Sequence, residues 1–269
     1  HTFRPDRNAA RLQASARRLA LPELPTEYFI QSLREIVKVD GRWVPSGEDQ
    51  SLYLRPFMFA KEAFLGVRAA QKVAYYVIAS PAGAYFSGGV KPVRIWLSED
   101  YARAGKGGTG KAKTGGNYAS SLLAQSEASS KGCDQVVFLN EERNVEELGG
   151  MNVVFVFKDG RVVTPESDSI LEGITRDSLL QLAEDRGYTV EKRPISIDEW
   201  REGVASGDIV EVFACGTAAV VTPIGALVGE GFDEPQPLGE LALSLREELT
   251  DIQYGRRDDR HGWLLRLDA

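Results

Sequence analysis

The chain contains one stretch that is rich in glycine and lysine, Gly105-Lys106-Gly107-Gly108-Thr109-Gly110-Lys111-Ala112-Lys113-Thr114-Gly115-Gly116-Asn117-Tyr118. These fourteen residues contain six glycines and three lysines, and the pattern that follows predicts a helix over residues 117–131, closed by Gly132. Glycine lets a backbone approach a ligand closely, and lysine supplies a cation or a nucleophilic amine. The stretch therefore predicts a loop that holds an anionic or electrophilic ligand ahead of a helix.

Two nucleotide-binding patterns match part of this stretch. Residues 105–111 fit the first seven positions of a P-loop, but Ala112 stands where a P-loop needs Ser or Thr to hold Mg²⁺. The glycines of the same loop also spell G-x-G-x-x-G, the dinucleotide-binding pattern. Both patterns need a strand directly before the loop, and Tyr101-Ala102-Arg103-Ala104 does not have the character of a strand. A P-loop-like nucleotide-binding protein stays as the alternative from a different class.

The composition restricts the classes of protein to which the chain can belong. Its 269 residues have a formal net charge of −7 and no long basic run, which argues against nucleic acid as a partner. No stretch approaches the roughly 18 apolar residues that a membrane helix needs. With no signal peptide at its start, we expect a cytoplasmic protein without membrane contact. The only histidines are His1 and His261, so we expect no metal site and no Ser-His-Asp triad.

The hydrophobic pattern predicts an α+β fold with mixed β-sheets in two domains. Strand and helix patterns interleave without a regular βα alternation, which disfavours a doubly wound fold. Proline and glycine interrupt the periodicity between residues 81 and 92, so this segment is predicted to be an interdomain loop. Residues 1–80 then form a small N-terminal α/β domain, and residues 93–269 form a large domain.

Periodicity also places helices and strands in both domains. Besides the helix over 117–131, helices are predicted at 9–19, 26–37, 173–186, 196–205 and 238–254, with Thr26 as a cap. Strands are predicted at 51–56, 72–79 (a buried strand), 93–97, 135–139, 151–157, 161–164 and 208–213, and residues 219–223 continue extended. The pair Asp159-Gly160 predicts a hairpin turn.

The glycine–lysine stretch resembles the active-site segment of the branched-chain amino acid aminotransferases, which are pyridoxal-phosphate (PLP) enzymes of fold type IV. The matching pieces are Gly108-Thr109-Gly110 and Ala112-Lys113-Thr114-Gly115-Gly116-Asn117-Tyr118. Further matches follow in the family's order along essentially the whole chain, from Phe3-Arg4-Pro5 to Ile252-Gln253-Tyr254-Gly255. The resemblance implies a two-domain fold type IV architecture, with PLP bound by the large domain.

Three residues receive roles in cofactor chemistry from this resemblance. Lys113 is implied as the Schiff-base lysine and proton shuttle, Tyr118 as the partner of the cofactor's phenolic oxygen, and Glu147 as the acid that faces the pyridine nitrogen. From the charge pattern alone, Glu147 is expected to be a solvated residue in an acidic segment. We expect the Lys113 amine to be shielded from solvent, in a cavity that it shares with the Glu147 carboxyl group.

The phosphate and the substrate also receive candidate residues. The start of a helix at Gly173-Ile174-Thr175 suits an anion, because N–H groups and the helix dipole point at it there. The resemblance places the phosphate on Ile174 and Thr175, with Arg11 and Thr217 as further contacts. Substrate contacts are implied for Tyr53, Arg55, Val67, Thr217 and Ala218.

The activity implied by the resemblance is transamination between leucine, isoleucine or valine and 2-oxoglutarate. A homodimer is implied as well, because the family's loop at Leu65-Gly66-Val67 reaches the neighbouring subunit. Within the same fold, a D-amino-acid aminotransferase or an aminodeoxychorismate lyase is the alternative, which Tyr53 and Arg55 disfavour.

Family members have further residues ahead of the Phe3-Arg4-Pro5 segment. We therefore expect this chain to be a piece of a longer enzyme. Made alone, it is expected to be poorly soluble or inactive, because a small domain without its first strands exposes sheet edges and apolar surface. A catalytically inactive piece with only a binding or structural role is the third alternative.

Overall fold

The computed structural model describes residues 1–47, 50–83 and 89–268, and the chain forms two compact units. Unit 1 comprises His1–Ser87 and Ile252–Ala269, and unit 2 comprises Gly88–Asp251. Part of the predicted interdomain loop, residues 84–88, lies outside the described residues.

The helices and strands follow one another without a regular alternation. In chain order they are β1 (Thr2–Phe3), α1 (Pro5–Arg18), α2 (Thr26–Asp40), β2 (Ser51–Ala60), β3 (Val73–Ala82), β4 (Val93–Ser98), α3 (Gly115–Ser120), α4 (Leu122–Ser130), β5 (Gln135–Leu139), β6 (Val145–Leu148), β7 (Asn152–Phe157), β8 (Arg161–Thr164), α5 (Ile174–Asp185), β9 (Thr189–Lys192), α6 (Ile197–Ser206), β10 (Ile209–Gly216), β11 (Val220–Gly229), β12 (Phe232–Pro235), α7 (Leu241–Gln253) and β13 (Leu264–Leu265). The short strands β1, β6, β9, β12 and β13 had no sequence prediction.

Unit 1 packs two helices against one face of a two-stranded antiparallel sheet, β2–β3. Phe29 and Leu33 of α2 are buried, and Tyr75 and Val77 of β3 pack against the same cluster. Side chains alternate between the two faces of a strand, so Tyr76 and Ile78 of β3 point to the opposite face, and both are exposed. The prediction of a buried strand at 72–79 is therefore wrong: one face of β3 is partly buried and the other is exposed.

Two further differences from the predictions occur in unit 1. The helix α2 has Pro25 at its N-cap position and Thr26 as its first helical residue, without a side-chain capping bond, so the predicted cap is wrong. Residues 252–269, which were predicted to end the large domain, group with unit 1. The reason is that β13 pairs with β1, in the register Thr2↔Leu265 and Phe3↔Leu264.

Unit 2 is built on one mixed sheet of nine strands. The strand order is β6-β5-β4-β11-β10-β7-β8-β9, and β12 pairs with β11 at the side. The pairs β4–β5, β4–β11 and β8–β9 are parallel, and the others are antiparallel. All residues of β7 are buried, as expected for a strand that is covered on both faces. The predicted α+β class with mixed sheets is confirmed, and the hairpin at Asp159-Gly160 joins β7 to β8 as predicted.

The helix predicted over residues 117–131 is divided into α3 and α4 by a break at Ser121. Two neighbouring hydroxyl groups bond to backbone carbonyls at this point: Ser120 Oγ donates to Asn117 O at 2.9 Å, and Ser121 Oγ donates to Tyr118 O at 2.8 Å. Serine hydroxyls compete with helical backbone bonds in this way and often bend a helix. The first piece, α3, begins at Gly115, two residues after Lys113.

Among the described residues, none of the helices combines the length and the apolar character that crossing a membrane requires. The same part of the chain contains no group of three or more His, Cys, Asp or Glu side chains placed to hold a metal ion.

Trp200 of α6 is the largest fully buried side chain of the unit 2 core. Its ring meets Phe155 of β7 edge to face, with 5.0 Å between the ring centroids. Its indole Nε1 donates to Oε1 of the buried Gln236 at 2.8 Å. The helix that positions it has Ser196 at its N-cap position, where the serine hydroxyl accepts a hydrogen bond from Glu199 N at 2.9 Å. Trp200 thus ties the helix to the sheet through both packing and a buried hydrogen bond.

We expect Trp200→Phe to lower the free energy of unfolding by about 1–3 kcal/mol, because it leaves the buried oxygen of Gln236 without its donor. Urea unfolding followed by circular dichroism measures the change. The matched control is Trp43→Phe, since Trp43 is 56% exposed and surface substitutions usually change stability by less than about 0.5 kcal/mol. Equal unfolding midpoints for the two variants would contradict this account of the core.

Candidate active site

The glycine–lysine loop is held in shape by one buried amide, that of Asn117 at the start of α3. Its Nδ2 donates to the carbonyls of Thr109 at 2.8 Å and Ala112 at 2.9 Å, and its Oδ1 accepts from Thr109 Oγ1 at 2.7 Å. Both donor hydrogens and the acceptor are thus used inside the loop, which is how a buried amide fixes a backbone. Residues 109–112 therefore form a defined turn, and Lys113 follows directly from it.

Lys113 and Tyr118 are in direct contact. Lys113 Nζ donates to the Tyr118 hydroxyl oxygen at 2.6 Å and lies 5.2 Å from the centroid of the tyrosine ring. Both side chains are exposed, that of Tyr118 by 40%. The prediction that the amine is shielded from solvent is therefore wrong, because Lys113 lies across the ring of Tyr118, which is itself at the surface.

Glu147 differs from Lys113 in being deeply buried, at 4% exposure. It lies on β6, and its Oε1 accepts a hydrogen bond from the Leu171 backbone N–H. The guanidinium of Arg103 is 3.5 Å from the same oxygen. Burial raises the pKa of Glu147 to about 7, and the charge of Arg103 opposes this rise. The solvated position suggested by the charge pattern is excluded.

Arg103 is a site residue that the sequence analysis did not single out. It is 6% exposed, and its Nη2 donates to the carbonyl of Gly110 at 3.4 Å and to that of Ser169. Its own carbonyl accepts from Ser120 Oγ at 2.6 Å. The available signal was an arginine between two alanines, immediately before a loop rich in glycine.

A second buried carboxylate, Glu146, lies beside Glu147 on β6. Its Oε1 accepts from Ser167 Oγ at 3.1 Å and from Ser169 Oγ. Since Glu147 accepts from the Leu171 N–H, two successive carboxylates bind the same segment, residues 167–171. This segment leads into the predicted phosphate-binding helix start, so the acidic strand and that helix start are mechanically connected.

The helix α5 begins at Ile174, with Gly173 at its N-cap position. A Cβ at residue 173 would overlap Oδ1 of Asn152 and displace this side chain, whose Nδ2 donates to Leu171 O at 3.1 Å. The first N–H groups of a helix have no carbonyl partner within it, and the helix dipole makes the end attractive to anions. The helix start at Ile174 and Thr175 is thus suited to an anionic group.

Contacts between neighbouring residues connect these parts of unit 2. A Cβ on Gly150 would lie 3.9 Å from the Tyr118 ring, and one on Gly216 would lie 3.4 Å from the Met151 side chain. Thr217 and Ala218 follow in an exposed turn between β10 and β11. The candidate residues of unit 2 are Lys113, Tyr118, Glu147, Ile174, Thr175, Thr217 and Ala218. Among them, Lys113 bonds to Tyr118, and Glu147 bonds to the segment that leads into Ile174 and Thr175. That all seven form one site stays a prediction.

The remaining candidates, Arg11, Tyr53, Arg55 and Val67, belong to unit 1. Arg11 on α1 donates from Nη2 to Asn8 Oδ1 at 3.0 Å. On β2 the guanidinium of Arg55 lies 5.3 Å from the centroid of the Tyr53 ring, so these two side chains are adjacent. Val67 is fully exposed in the segment between β2 and β3.

We expect the stability of the protein to reveal the titration of Glu147. The folded protein keeps this proton up to about pH 7, whereas the unfolded chain loses it near the ordinary value of 4.5. The folded state therefore binds more protons between these values, and its stability falls as the pH rises. Relative to Glu147→Gln, the wild type should lose about 3 kcal/mol of unfolding free energy across this window.

Urea unfolding at both ends of this pH range measures the difference. Glu141→Gln is the matched control, because Glu141 is an exposed glutamate of the same acidic segment. A constant difference between wild type and Glu147→Gln at the two pH values would show that Glu147 does not titrate there.

The chain is similar to a known protein family in both sequence and structure. A family model described as "Amino-transferase class IV" matches residues 1–227. A Mycolicibacterium smegmatis protein named branched-chain-amino-acid aminotransferase is 58% identical over 99% of this chain and 75% of its own length. A Mycobacterium tuberculosis protein of the same name is 59% identical over the same shares.

Solved structures agree with the sequence relatives. The T.th. branched-chain amino acid aminotransferase with pyridoxamine 5'-phosphate has a TM-score of 0.83 and 33% identity, over 98% of this chain and 84% of that one. The Escherichia coli branched-chain amino acid aminotransferase has a TM-score of 0.79 and 28% identity, over 99% and 84%. The resemblance and the fold type IV architecture expected from the sequence are confirmed, and the nucleotide-binding alternative is not favoured. The chain belongs to the class IV aminotransferase family.

Proposed function

We propose that this chain is a branched-chain-amino-acid aminotransferase, which transfers the amino group between leucine, isoleucine or valine and 2-oxoglutarate with pyridoxal 5'-phosphate as cofactor. The observation that supports this most strongly is 58% identity, over 99% of the chain, to a relative of that name. An exposed lysine in contact with a tyrosine hydroxyl, on a loop fixed by Asn117, is compatible with an amine that small substrates must reach.

The residues of unit 2 fit the chemical groups of PLP. When bound, the cofactor supplies an electron sink for negative charge at the substrate Cα. Lys113 would hold the cofactor at its aldehyde carbon, and its Nζ would be the atom that takes up and returns the proton. The hydroxyl of Tyr118, 2.6 Å from that nitrogen, would bind the phenolic oxygen. The buried carboxyl group of Glu147 would face the ring nitrogen, and its ionised form would favour the protonated ring, because a nearby anion stabilises a cation.

A phosphate would be bound at the start of α5. The backbone N–H groups of Ile174 and Thr175 are at the positive end of the helix dipole, which supports this assignment. We assign further phosphate contacts to Thr217, in the turn after β10, and to Arg11 of unit 1. Thr175 is buried, so its backbone can meet an anion with little competition from water.

Two groups of residues are assigned to the substrate. Backbone N–H groups of Thr217 and Ala218 would bind the α-carboxylate, since the turn that holds them is exposed. Tyr53, Arg55 and Val67 would meet the side chain. One pocket must accept an apolar side chain as well as the γ-carboxylate of glutamate, and an arginine beside an aromatic ring, as at Arg55 and Tyr53, suits both demands.

The proposed setting is a cytoplasmic homodimer that acts on small amino and oxo acids, without nucleic acid or membrane partners. Leu65 and Val67 support the dimer, because two fully exposed apolar side chains in one segment of unit 1 are suited to contact a second subunit.

Lys113→Ala should abolish the visible absorption band of the bound cofactor and lower the rate of leucine–2-oxoglutarate transamination by roughly 10²–10⁴, because the proton-transferring amine is gone. The matched control is Lys106→Ala, an exposed lysine in the same loop, which should leave both unchanged. Retention of the band and the rate in Lys113→Ala would remove this lysine from the mechanism.

We further expect L-leucine to be a substrate and D-alanine not to be one, since the matched relatives are named for branched-chain amino acids. Single-turnover assays with each amino acid and the PLP-loaded enzyme measure this. Turnover of D-alanine in preference to L-leucine would instead support a D-amino-acid aminotransferase. A thermal shift caused by nucleotides, in a protein without a cofactor band, would support the nucleotide-binding alternative.

A further inference from the structure

Arg103 connects four separate parts of unit 2. Its guanidinium donates to the carbonyl of Gly110, in the loop before Lys113, and to that of Ser169, in the segment before α5. The same group lies 3.5 Å from the carboxylate of Glu147, and the Arg103 carbonyl accepts from Ser120 at the end of α3. One residue thus links the lysine loop, the phosphate-side segment, the acidic strand and the helix that follows the loop.

Stability alone does not account for a charged residue at this position. Burying a guanidinium costs several kcal/mol, and replacement of a buried ion pair by apolar side chains is often neutral or stabilising. Within the described part of the chain, Arg103 Nε has no hydrogen-bond partner, so the arginine is not even fully compensated. One nitrogen at the end of a long side chain, Nη2, meets two carbonyls and a carboxylate, which no apolar side chain could do.

The contact between the two loops is close as well as hydrogen bonded. A Cβ on Gly110 would overlap the backbone of Ser169, so the loop before Lys113 lies directly against the segment before α5. Gly105, in the same loop, has open space around it. The close approach is therefore local to the residue whose carbonyl Arg103 binds.

We propose that Arg103 is a positioning residue, which locks the loop of Lys113 against residues 167–171 and so holds the lysine and the Glu147 carboxylate in fixed relative positions. The inference rests on the proposed function, because that function gives Lys113 and Glu147 their roles. Arg103 acts through these two residues and through the backbone of Gly110 and Ser169, and it needs no contact with substrate.

The charge of Arg103 lowers the pKa of Glu147, so the role of Arg103 can be tested by titrating Glu147. The charged and titratable groups that act on this carboxylate are Arg103, Arg176 and Glu146, and the buried thiol of Cys215 lies in the same cluster. Arg103 has the largest charge effect, and Arg176 donates to the Pro165 carbonyl at 3.3 Å. Loss of the Arg103 charge should therefore raise the pKa of Glu147 further.

The test compares Arg103→Met and Arg103→Lys with the wild type, in the apoprotein and in the holoenzyme. Methionine removes the charge and the Nη2 donor but keeps a long side chain. Lysine keeps the charge, but its amine is one bond short of the position of Nη2. Hydrogen exchange over residues 105–114 reports the order of the loop. NMR of glutamate labelled at Cδ, assigned with Glu147→Gln, reports the titration of the carboxylate.

In Arg103→Met we expect exchange in this loop to become about tenfold faster, the change equivalent to the loss of one charge-assisted hydrogen bond. The titration midpoint of Glu147 should move to higher pH, and PLP should dissociate about tenfold more readily. Arg103→Lys should restore the midpoint but not the slow exchange. Wild-type exchange and an unchanged midpoint in Arg103→Met would overturn the proposal.

Gly110→Ala disturbs the contact between Gly110 and Ser169 without changing any charge. This variant keeps the proposal falsifiable if Arg103→Met does not fold. It should speed exchange in both 105–114 and 166–172, while Gly105→Ala should leave both segments as in the wild type. Equal effects of the two alanines would overturn the proposal.

These readouts separate the inference from the proposed function. A wild type that neither binds PLP nor transaminates leucine would refute the function, whereas exchange in the apoprotein would still measure the role of Arg103 in the loop. If the wild type is fully active but exchange over residues 105–114 is the same in Arg103→Met and the wild type, the inference alone is refuted.

Discussion

A carboxylate without water is unfavourable unless donors and cations surround it, and this constraint organises the centre of unit 2. Glu147 lies on a buried strand, accepts the Leu171 N–H and faces the Arg103 guanidinium. Each of these partners belongs to a different part of the chain. Satisfying one buried charge therefore brings together the acidic strand, the loop before Lys113 and the segment that leads into α5. Even with these partners, burial keeps the pKa of Glu147 high, at about 7.

The two central residues of the site have opposite environments, and each suits its proposed role. An amine that reacts with small molecules must be reached from solvent, and Lys113 is exposed in contact with Tyr118. An acid that fixes the charge of a bound ring works best in a medium of low dielectric constant, where its field is not screened. Other residues fix the loop. Asn117 bonds to two of its carbonyl groups, and Arg103 bonds both to the loop and to the segment before α5.

Most of the long elements were predictable because their signals are local. The Asp159-Gly160 turn, the apolar runs of β5 and β7 and the capped start of α6 each depend on residues close together in sequence. Predictions failed where distant parts of the chain decide the outcome. The exposed face of β3 and the position of the last strand follow from contacts with other segments, and the break at Ser121 follows from hydroxyl groups that bond to the backbone.

By itself, the sequence determined the family and predicted the residues proposed to carry its chemistry, since the Lys113 segment and the helix start at Gly173 are contiguous motifs that need no partner to be recognised. Only the tertiary structure decided the environment of those residues. In the sequence Val145-Glu146-Glu147-Leu148 is an acidic segment with no strand signal, yet both glutamates are buried. The physical reason is that the donors which make their burial possible, Arg103, Ser167, Ser169 and the Leu171 N–H, come from loops far along the chain.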